Sequence, residues 1–386
     1  LGFFLVSHVG ELHNHATNAL PPWMQNRNAY GFSGDSQRIY FTRNHAGERS
    51  LWVWDLLTSH AGEIHLDENY TWLDWFSICP RDDRPALSAS SADLPARLIT
   101  IDPAGKTEIF RHSSNLELPR KLFSIPQAVS WQNTEETQVE GLFYPPHNPE
   151  YQGEGLPPLL VMIHSGPTRQ KFTEFSERTQ FFTSRGYAVF EVNYRGSTGY
   201  GREYWEALEG QWGILDVEDV YQAAKAISKE GLIDNKRIAL LGSSSGGMTV
   251  LQLLVKYPQF FRAGISLYGV TDLMELIKDP PKFERFYHNW LIGDPVSAAA
   301  EYKNRSPLNT ADKIRTPIAI FQGGKDSIVP QEQAELIVEV LKKNGVPHAY
   351  HLYPDEGHGF KKIENVSDFY QKTETFLNKF LSYDKP

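Results

Sequence analysis

The stretch GSSSG at residues 242–246 contains the side chains whose type and spacing best suit nucleophilic chemistry. Only Ser244 is central to a Gly-x-Ser-x-Gly pattern, with a strand-like apolar run at 237–241 before it and a helix-like apolar run at 248–255 after it. A strand-to-helix turn strains the backbone at such a serine and exposes its hydroxyl, so Ser244 is the predicted nucleophile. The amide of Ser245, at the start of that helix, is the nearest predicted donor to a developing oxyanion.

A base and an acid for this nucleophile follow it along the chain. Asp326 comes just after the buried strand-like run in IAIFQGGKD, and His358 lies in the glycine-bounded stretch DEGHGF. The order Ser, Asp, His is that of α/β-hydrolases, in which the histidine takes the serine proton, the aspartate orients the imidazole, and an acyl-enzyme forms. Alternatively, Asp326 caps a helix starting near Pro330, His358 is an ordinary loop histidine, or Asp355 is the acid. This chemistry implies no metal and no cofactor.

The elements that must position these side chains alternate between strands and helices from Pro157 onward. Near-continuous apolar runs such as PLLVMI, YAVFEV and TPIAIF predict buried strands. Amphipathic stretches such as ILDVEDVYQAAKAISK and PQEQAELIVEVLKK predict the helices between them. This alternation predicts an α/β fold with a doubly wound, mostly parallel sheet, in which function collects at the carboxyl ends of the strands.

The preceding part of the chain, from Tyr30 to about Ser124, has a different pattern. Short, aromatic-rich alternating runs are separated by turn residues, which predicts antiparallel β meanders. Two strand-turn-strand units of about 40 residues are typical of β-propeller blades, and so few blades cannot close a ring. Because the sequence begins at Leu1 in what reads as a strand, we expect a fragment of a longer protein with an incomplete propeller.

Composition narrows the classes of partner. The 386 residues carry a formal net charge of −9 with no lysine or arginine run, so neither nucleic acid nor an anionic membrane is an expected partner. No apolar run approaches the roughly 18 residues that a membrane-spanning helix needs. A single cysteine, Cys79, predicts a reducing, cytoplasmic location, with export left open. The His13-x-His15 spacing suits a metal, but a solvated strand is the favoured interpretation.

Further motifs extend over residues 125–386 and resemble the prolyl oligopeptidase family of serine peptidases, especially its acylaminoacyl-peptidase and dipeptidyl-peptidase-like bacterial branch. Besides GSSSGG, FQGGKDSIVP and DEGHGF, they are HSGPT at 164–168, NYRGSTGYG at 193–201, WGILDVED at 212–219, KFERFY at 282–287 and RSPL at 305–308. The resemblance implies an α/β-hydrolase catalytic domain over 125–386. It also implies that residues 1–124 form the C-terminal part of a β-propeller that gates access.

The resemblance assigns roles residue by residue. It implies that Ser244, Asp326 and His358 form the triad, and that Gly166 in HSGP lends its amide to the oxyanion hole. Ser165 stands where the family usually has glycine, and its Cβ is expected to restrict this loop. His164 stands where some members have a catalytic tyrosine, which favours the acylaminoacyl-peptidase branch and a packing role for the histidine.

Two other sites follow from the same motifs. Glu284 and Arg285 in KFERFY are predicted to meet the amino end or the carbonyls of the substrate, and a surface salt pair is the alternative. Arg195 in NYRGS is predicted to pair with an acid such as Asp216 or Glu218.

The function that these residues indicate is hydrolysis of short peptides, releasing residues from the amino terminus. A carboxylesterase on the same triad is the second interpretation, because acyl transfer to serine does not distinguish amides from esters. A third is a catalytically weak binding module. Short peptides are the expected partners, and a homo-oligomer is left open.

Overall fold

The computed structural model describes residues 28–115, 118–133, 135–278, 280, 282 and 284–382. The first part of this range forms two four-stranded antiparallel sheets, each with its strands paired in chain order. The first sheet contains β1 (Tyr30–Phe32), β2 (Arg38–His45), β3 (Glu48–Asp55) and β4 (His60–Glu63). The second contains β5 (Trp72–Ile78), β6 (Pro85–Ser91), β7 (Leu94–Ile101) and β8 (Thr107–His112). The predicted meanders are confirmed.

These two blade-like sheets share an apolar core. Inward-facing side chains of both sheets pack together, because alternate residues of a strand point to the same face. The buried members of this cluster are Tyr40, Leu51, Leu73, Phe76, Leu87, Ala89, Ile99 and Ile101. The sheets therefore form one packed body, here called the blades.

An eight-stranded sheet follows, in the order β16-β15-β14-β13-β11-β12-β10-β9. Its strands are β9 (Gln127–Gln132), β10 (Gln138–Tyr144), β11 (Leu159–Ile163), β12 (Ala188–Asn193), β13 (Ile238–Ser243), β14 (Ala263–Leu267), β15 (Ile318–Gly323) and β16 (His348–Tyr353). Strands β11 to β16 run parallel, β10 pairs antiparallel with β12, and the edge strand β9 pairs antiparallel with β10. The mostly parallel sheet predicted from the apolar runs is confirmed.

Helices cover both faces of this sheet. They are α1 (Glu177–Thr183), α2 (Arg202–Glu206), α3 (Leu215–Lys229), α4 (Ser245–Lys256), α5 (Leu273–Leu276), α6 (Tyr287–Leu291), α7 (Ala299–Arg305), α8 (Gln331–Lys343) and α9 (Ile363–Leu381), with 3-10 turns at Arg120–Leu122 and Pro307–Lys313. One core contains residues of α3, α4 and α8, and the other contains residues of α1 and α9. The fold is therefore doubly wound. None of the helices in the described ranges is long and apolar enough to cross a membrane.

Candidate active site

The backbone turns sharply between β13 and α4, at Ser244. Its φ of 55° and ψ of −120° lie in a region that residues with a Cβ rarely occupy. Gly246, two residues later, has no room for a side chain, because a Cβ there would lie 2.5 Å from the carbonyl oxygen of Ile163 at the end of β11. The strain and the close approach match the turn predicted from GSSSG, and together they hold the serine hydroxyl at the carboxyl edge of the sheet.

Ser244, His358 and Asp326 lie in one hydrogen-bonded chain. The serine Oγ is 3.0 Å from Nε2 of His358, and Nδ1 of His358 is 2.8 Å from Oδ2 of Asp326. The Asp326 side chain is fully buried, and its Oδ1 accepts the amides of Ile328 and Val329, each at 2.9 Å. The carboxylate is thus fixed on one side by backbone donors and presented to the imidazole on the other.

The structure does not agree with the two alternatives, in which Asp326 caps a helix or Asp355 is the acid. The N-cap of α8 is Pro330, without a side-chain capping bond, so Asp326 does not cap that helix. Asp355 lies at the surface, where it pairs with Lys362 at 3.0 Å and with Lys325 at 3.5 Å. Of the two aspartates, Asp326 therefore contacts the imidazole.

Two residues that sequence reasoning missed support His358. Tyr268, at the end of β14, has a positive φ of 37°, and its ring centroid lies 4.7 Å from that of the imidazole. The buried carboxylate of Glu356 accepts the amides of Lys361 at 3.1 Å and Lys362 at 2.8 Å, which ties the histidine loop to the start of α9. The only signals in the sequence are their positions, a tyrosine at a strand end and a glutamate in DEGHGF.

The loop after β11 passes beside this serine. The carbonyl oxygen of His164 would lie 2.7 Å from a Cβ at Gly246, so the two segments touch. Gly166 has a φ of 132°, and a Cβ there would lie 2.7 Å from the amide nitrogen of Arg169. Of these two described residues, Gly166 has a positive φ and Ser165 does not. The Cβ of Ser165 therefore does not strain the backbone of this loop, contrary to the restriction expected from the sequence. The amide of Ser245 belongs to the first turn of α4, whose N–H groups have no intrahelical acceptor.

His164 supports this loop from below. Its ring stacks on Tyr194 with centroids 4.3 Å apart, its Nδ1 is 3.0 Å from the carbonyl of Ser165, and its Nε2 is 2.8 Å from the hydroxyl of Ser197. Complete burial lowers the pKa of His164 to about 3. The ring is therefore neutral at ordinary pH, in keeping with the packing role favoured by the sequence.

The two residues singled out in KFERFY lie in different environments. Burial raises the pKa of the half-buried Glu284, while the charge of His358 opposes that change, so the carboxylate is within electrostatic reach of the imidazole. Arg285 is exposed, and its guanidinium lies 5.7 Å from the ring centroid of Phe286. Glu284 is therefore partly buried, whereas Arg285 lies at the surface.

Arg195 pairs with acidic side chains, as predicted, but with neither Asp216 nor Glu218, the two that the sequence analysis named. Its guanidinium instead contacts Asp219, with Nη2 2.8 Å from Oδ1, and Glu135 at 2.5 Å. Asp216 accepts the amide of Gly213 at 2.6 Å and the hydroxyl of Thr249 at 2.7 Å. Asp219 lies one turn beyond Asp216 on α3, and the packing of the helix selects which acid faces the arginine.

The pair His13 and His15 lies outside the described residues.

Comparison with known proteins gives related sequences over most of the chain. Dipeptidyl aminopeptidase BIII of Pseudoxanthomonas mexicana is 35% identical over 229 residues, which cover 58% of this chain and 33% of that protein. The acylamino-acid-releasing enzyme of Mus musculus is 28% identical over 370 residues, covering 91% of this chain and 50% of that enzyme. The chain therefore spans between a third and a half of the length of these relatives.

Solved structures with the same architecture match almost the whole chain. A puromycin-hydrolyzing peptidase of Mycobacterium tuberculosis is 32% identical, with a TM-score of 0.89 over 96% of this chain and 56% of that one. A puromycin hydrolase is 30% identical, with a TM-score of 0.88 over 95% of this chain and 55% of that one. The sequence model of the prolyl oligopeptidase family matches residues 173–383, which is more than half of the chain. On this match, and on the fold that it shares with these peptidases, the chain belongs to the prolyl oligopeptidase family.

Proposed function

We propose that this protein is a serine peptidase that hydrolyses short peptides, with Ser244 as nucleophile, His358 as general base and Asp326 as the acid that orients the imidazole. The observation that carries the proposal is the continuous hydrogen-bonded chain from Ser244 Oγ through His358 to Asp326, with contacts of 3.0 and 2.8 Å. Such an arrangement activates a hydroxyl that is otherwise a weak nucleophile.

In this proposal the reaction has two steps on one serine. Ser244 Oγ attacks the carbonyl carbon of the scissile bond while His358 accepts the hydroxyl proton. The amides of Ser245 and Gly166 donate to the oxyanion of the tetrahedral intermediate. His358 then protonates the leaving amine, and water hydrolyses the acyl-enzyme with the same base.

The substrate that we propose is a peptide with a free amino end. A half-buried carboxylate near the imidazole, that of Glu284, offers a counter-charge for an ammonium group next to the scissile bond. Arg285, further out, would contact a substrate carbonyl only when the substrate extends beyond the site. Related proteins named for dipeptidyl aminopeptidase activity and for puromycin hydrolysis support this class of substrate.

We further propose that residues 1–124 belong to a propeller that restricts entry and that residues 125–386 are the catalytic domain. The support is the change of architecture between β8 and β9, from antiparallel blades to the eight-stranded sheet. In this arrangement folded proteins are excluded by the size of the entrance, and short unfolded peptides reach Ser244.

The first test is covalent labelling with a fluorophosphonate probe, followed by peptide mass mapping of the modified residue. We expect label on Ser244 in the unmodified protein and none in the His358→Ala variant. Hydrolysis of an aminoacyl anilide is then compared with hydrolysis of a short acyl ester. Activity on the ester alone would favour the carboxylesterase over the peptidase, and absence of label on folded protein would contradict both.

A further inference from the structure

A short segment links the candidate oxyanion loop to the blades. Residues 168–173, here called the strap, begin immediately after the loop 164–167 and cross to the antiparallel sheets. At the loop end, the hydroxyl of Thr168 is 2.6 Å from that of Tyr287, and Lys171 exchanges backbone bonds of 2.6 and 3.0 Å with the side chain of Asn193. The strap is therefore anchored to the eight-stranded sheet where it leaves the loop.

At its other end, the strap makes hydrogen bonds to both blade-like sheets. The amide of Thr173 donates to the carbonyl of Gly47 at 2.9 Å, and its carbonyl accepts the hydroxyl of Thr71 at 2.7 Å. The side-chain amide of Gln170 donates to that of Asn44 at 3.0 Å. Backbone and side-chain groups of the strap thus form hydrogen bonds with residues 102 to 126 positions away in the chain.

An aromatic stack completes this contact. The rings of Phe172 and Trp72 lie 3.8 Å apart at an interplanar angle of 22°. The guanidinium of Arg49 lies 4.1 Å from the indole centroid, and at these separations the two groups must occupy opposite faces of Trp72. Arg49 is in turn bonded to Asp74 at 3.3 Å, and Trp72 is only 4% exposed. The indole is therefore clamped, and it holds Phe172 as part of a rigid stack.

Very little chain separates this stack from the oxyanion loop. Gly166 is six residues from Phe172, and it packs so closely on Arg169 that a Cβ would not fit between them. A displacement of the strap is therefore passed to the loop, because close-packed segments do not absorb it by compression. Donors that stabilise a transition state act only when held within a fraction of an ångström, so such a displacement is expected to slow catalysis.

We propose that the strap is a positioning element by which the blades, through Trp72 and Thr71, hold the Gly166 amide in its catalytic position. This inference rests on the proposed function, because it assigns Gly166 to the oxyanion hole. Its consequence is that the blades contribute directly to transition-state stabilisation, in addition to limiting access.

The kinetic test compares Trp72→Ala with Trp72→Phe in the full chain. We expect kcat on an aminoacyl anilide to fall about 10- to 100-fold in Trp72→Ala, with KM changed less than about twofold. The pH profile of kcat/KM should keep its shape, because the Ser244–His358 contact is untouched. Trp72→Phe, which retains a stacked ring, should restore most of kcat. Trp52→Ala, which removes an indole stacked on Phe41 elsewhere in the blades, is the matched control and should leave kcat unchanged.

Hydrogen exchange gives a readout that is independent of activity. In Trp72→Ala, the amides of Gly166 and of residues 168–173 should exchange faster, while those of β13 and α4 keep their protection. If Trp72→Ala does not fold, Thr71→Val replaces it, since it removes a single hydroxyl donor, and the same pattern is expected with a smaller effect. Unchanged exchange in the strap, or faster exchange with unchanged kcat, overturns the proposal.

The same experiments separate this inference from the proposed function. A wild-type chain whose hydrolysis does not exceed that of Ser244→Ala contradicts the proposed function, and the exchange data then decide whether the blades hold the strap. A wild-type chain that is active, with Trp72→Ala equally active, contradicts the positioning role alone.

Discussion

The two sides of the candidate active site are held by different parts of the molecule. Ser244, Asp326 and His358 follow β13, β15 and β16, which lie within one run of four adjacent parallel strands. Ladder hydrogen bonds of that sheet set their spacing. Gly166 follows β11 of the same sheet, but the chain beyond it is secured by the blades. In the proposed mechanism, activation of the nucleophile therefore depends on the eight-stranded sheet alone, whereas the position of the proposed oxyanion donor also depends on contacts with the blades.

The largest expected effect lies on the triad side. Ser244→Ala should lower kcat by about 10⁴-fold or more on an aminoacyl anilide, because the hydroxyl that contacts the imidazole is that of Ser244. His358→Ala should cost about as much, and the double variant little more than either single one, since the two residues act as a unit.

Steady-state kinetics on the three variants, with circular dichroism to establish folding, makes this measurement. Losses that multiply in the double variant would show that Ser244 and His358 act independently, which would contradict the proposed triad.

Asp326→Asn tests the acid against its alternative. The amides of Ile328 and Val329 still bind Oδ1, so the loop should keep its shape, while the side-chain amide in place of Oδ2 presents a donor to Nδ1 and disfavours the required tautomer. We expect a loss of about 10³- to 10⁴-fold in kcat.

Asp355→Asn is the matched control, because that carboxylate pairs with Lys362 and Lys325 at the surface. It should leave kcat within about twofold. If Asp355→Asn were the more damaging substitution, the assignment of the acid would be wrong.

On the oxyanion side, Gly166→Ala should lower kcat by about 100-fold with little change in KM. The φ of 132° and the 2.7 Å approach to Arg169 leave no room for a Cβ, so the loop must move and its amide with it. Ser165→Gly, at the neighbouring position, should change kcat by less than about threefold, because Ser165 already lacks left-handed backbone. Equal losses at the two positions would mean that the loop, and not one amide, sets the rate.

The difference between the two sides also explains what the sequence could predict. The order and spacing of Ser244, Asp326 and His358 are local to three strand ends, and the doubly wound fold brings strand ends together whatever the loops contain. The contacts of Thr173 with Gly47 and Thr71 join residues 126 and 102 positions apart, and no local pattern specifies such pairs.

The sequence pattern also could not predict which of several acidic side chains on one helix binds a given arginine. Arg195 binds Asp219 and not Asp216, although the two acids lie one turn apart on the same side of α3. Asp216 instead accepts hydrogen bonds from the amide of Gly213 and the hydroxyl of Thr249, contacts that no local pattern specifies. Tyr268 contacts the ring of His358 from a position with a strained backbone. Glu356 holds the loop of His358 through its buried carboxylate. Neither feature is visible before the chain is folded.

The smallest expected effect concerns the pH dependence of the domain contact. Burial raises the pKa of Glu174, which directly follows the strap, to about 7; Lys171 and Arg169 oppose the change, whereas Glu191 and Asp74 add to it. The folded chain thus keeps a proton that the unfolded chain, in which this glutamate has its ordinary pKa of 4.5, releases. This group therefore makes the free energy of unfolding fall as pH rises from about 4.5 to 7. Glu174→Gln should remove that slope, gaining on the order of 1 kcal/mol in unfolding free energy at pH 8 and nothing at pH 4.5.

Denaturation midpoints at the two pH values test this prediction, with Glu150→Gln, at an exposed position, as the control for net charge. A stability gain in Glu174→Gln that is confined to pH 8 would show that Glu174, beside the strap, is the titrating group. An equal gain in Glu150→Gln would show that the effect comes from net charge and not from the contact between the strap and the blades.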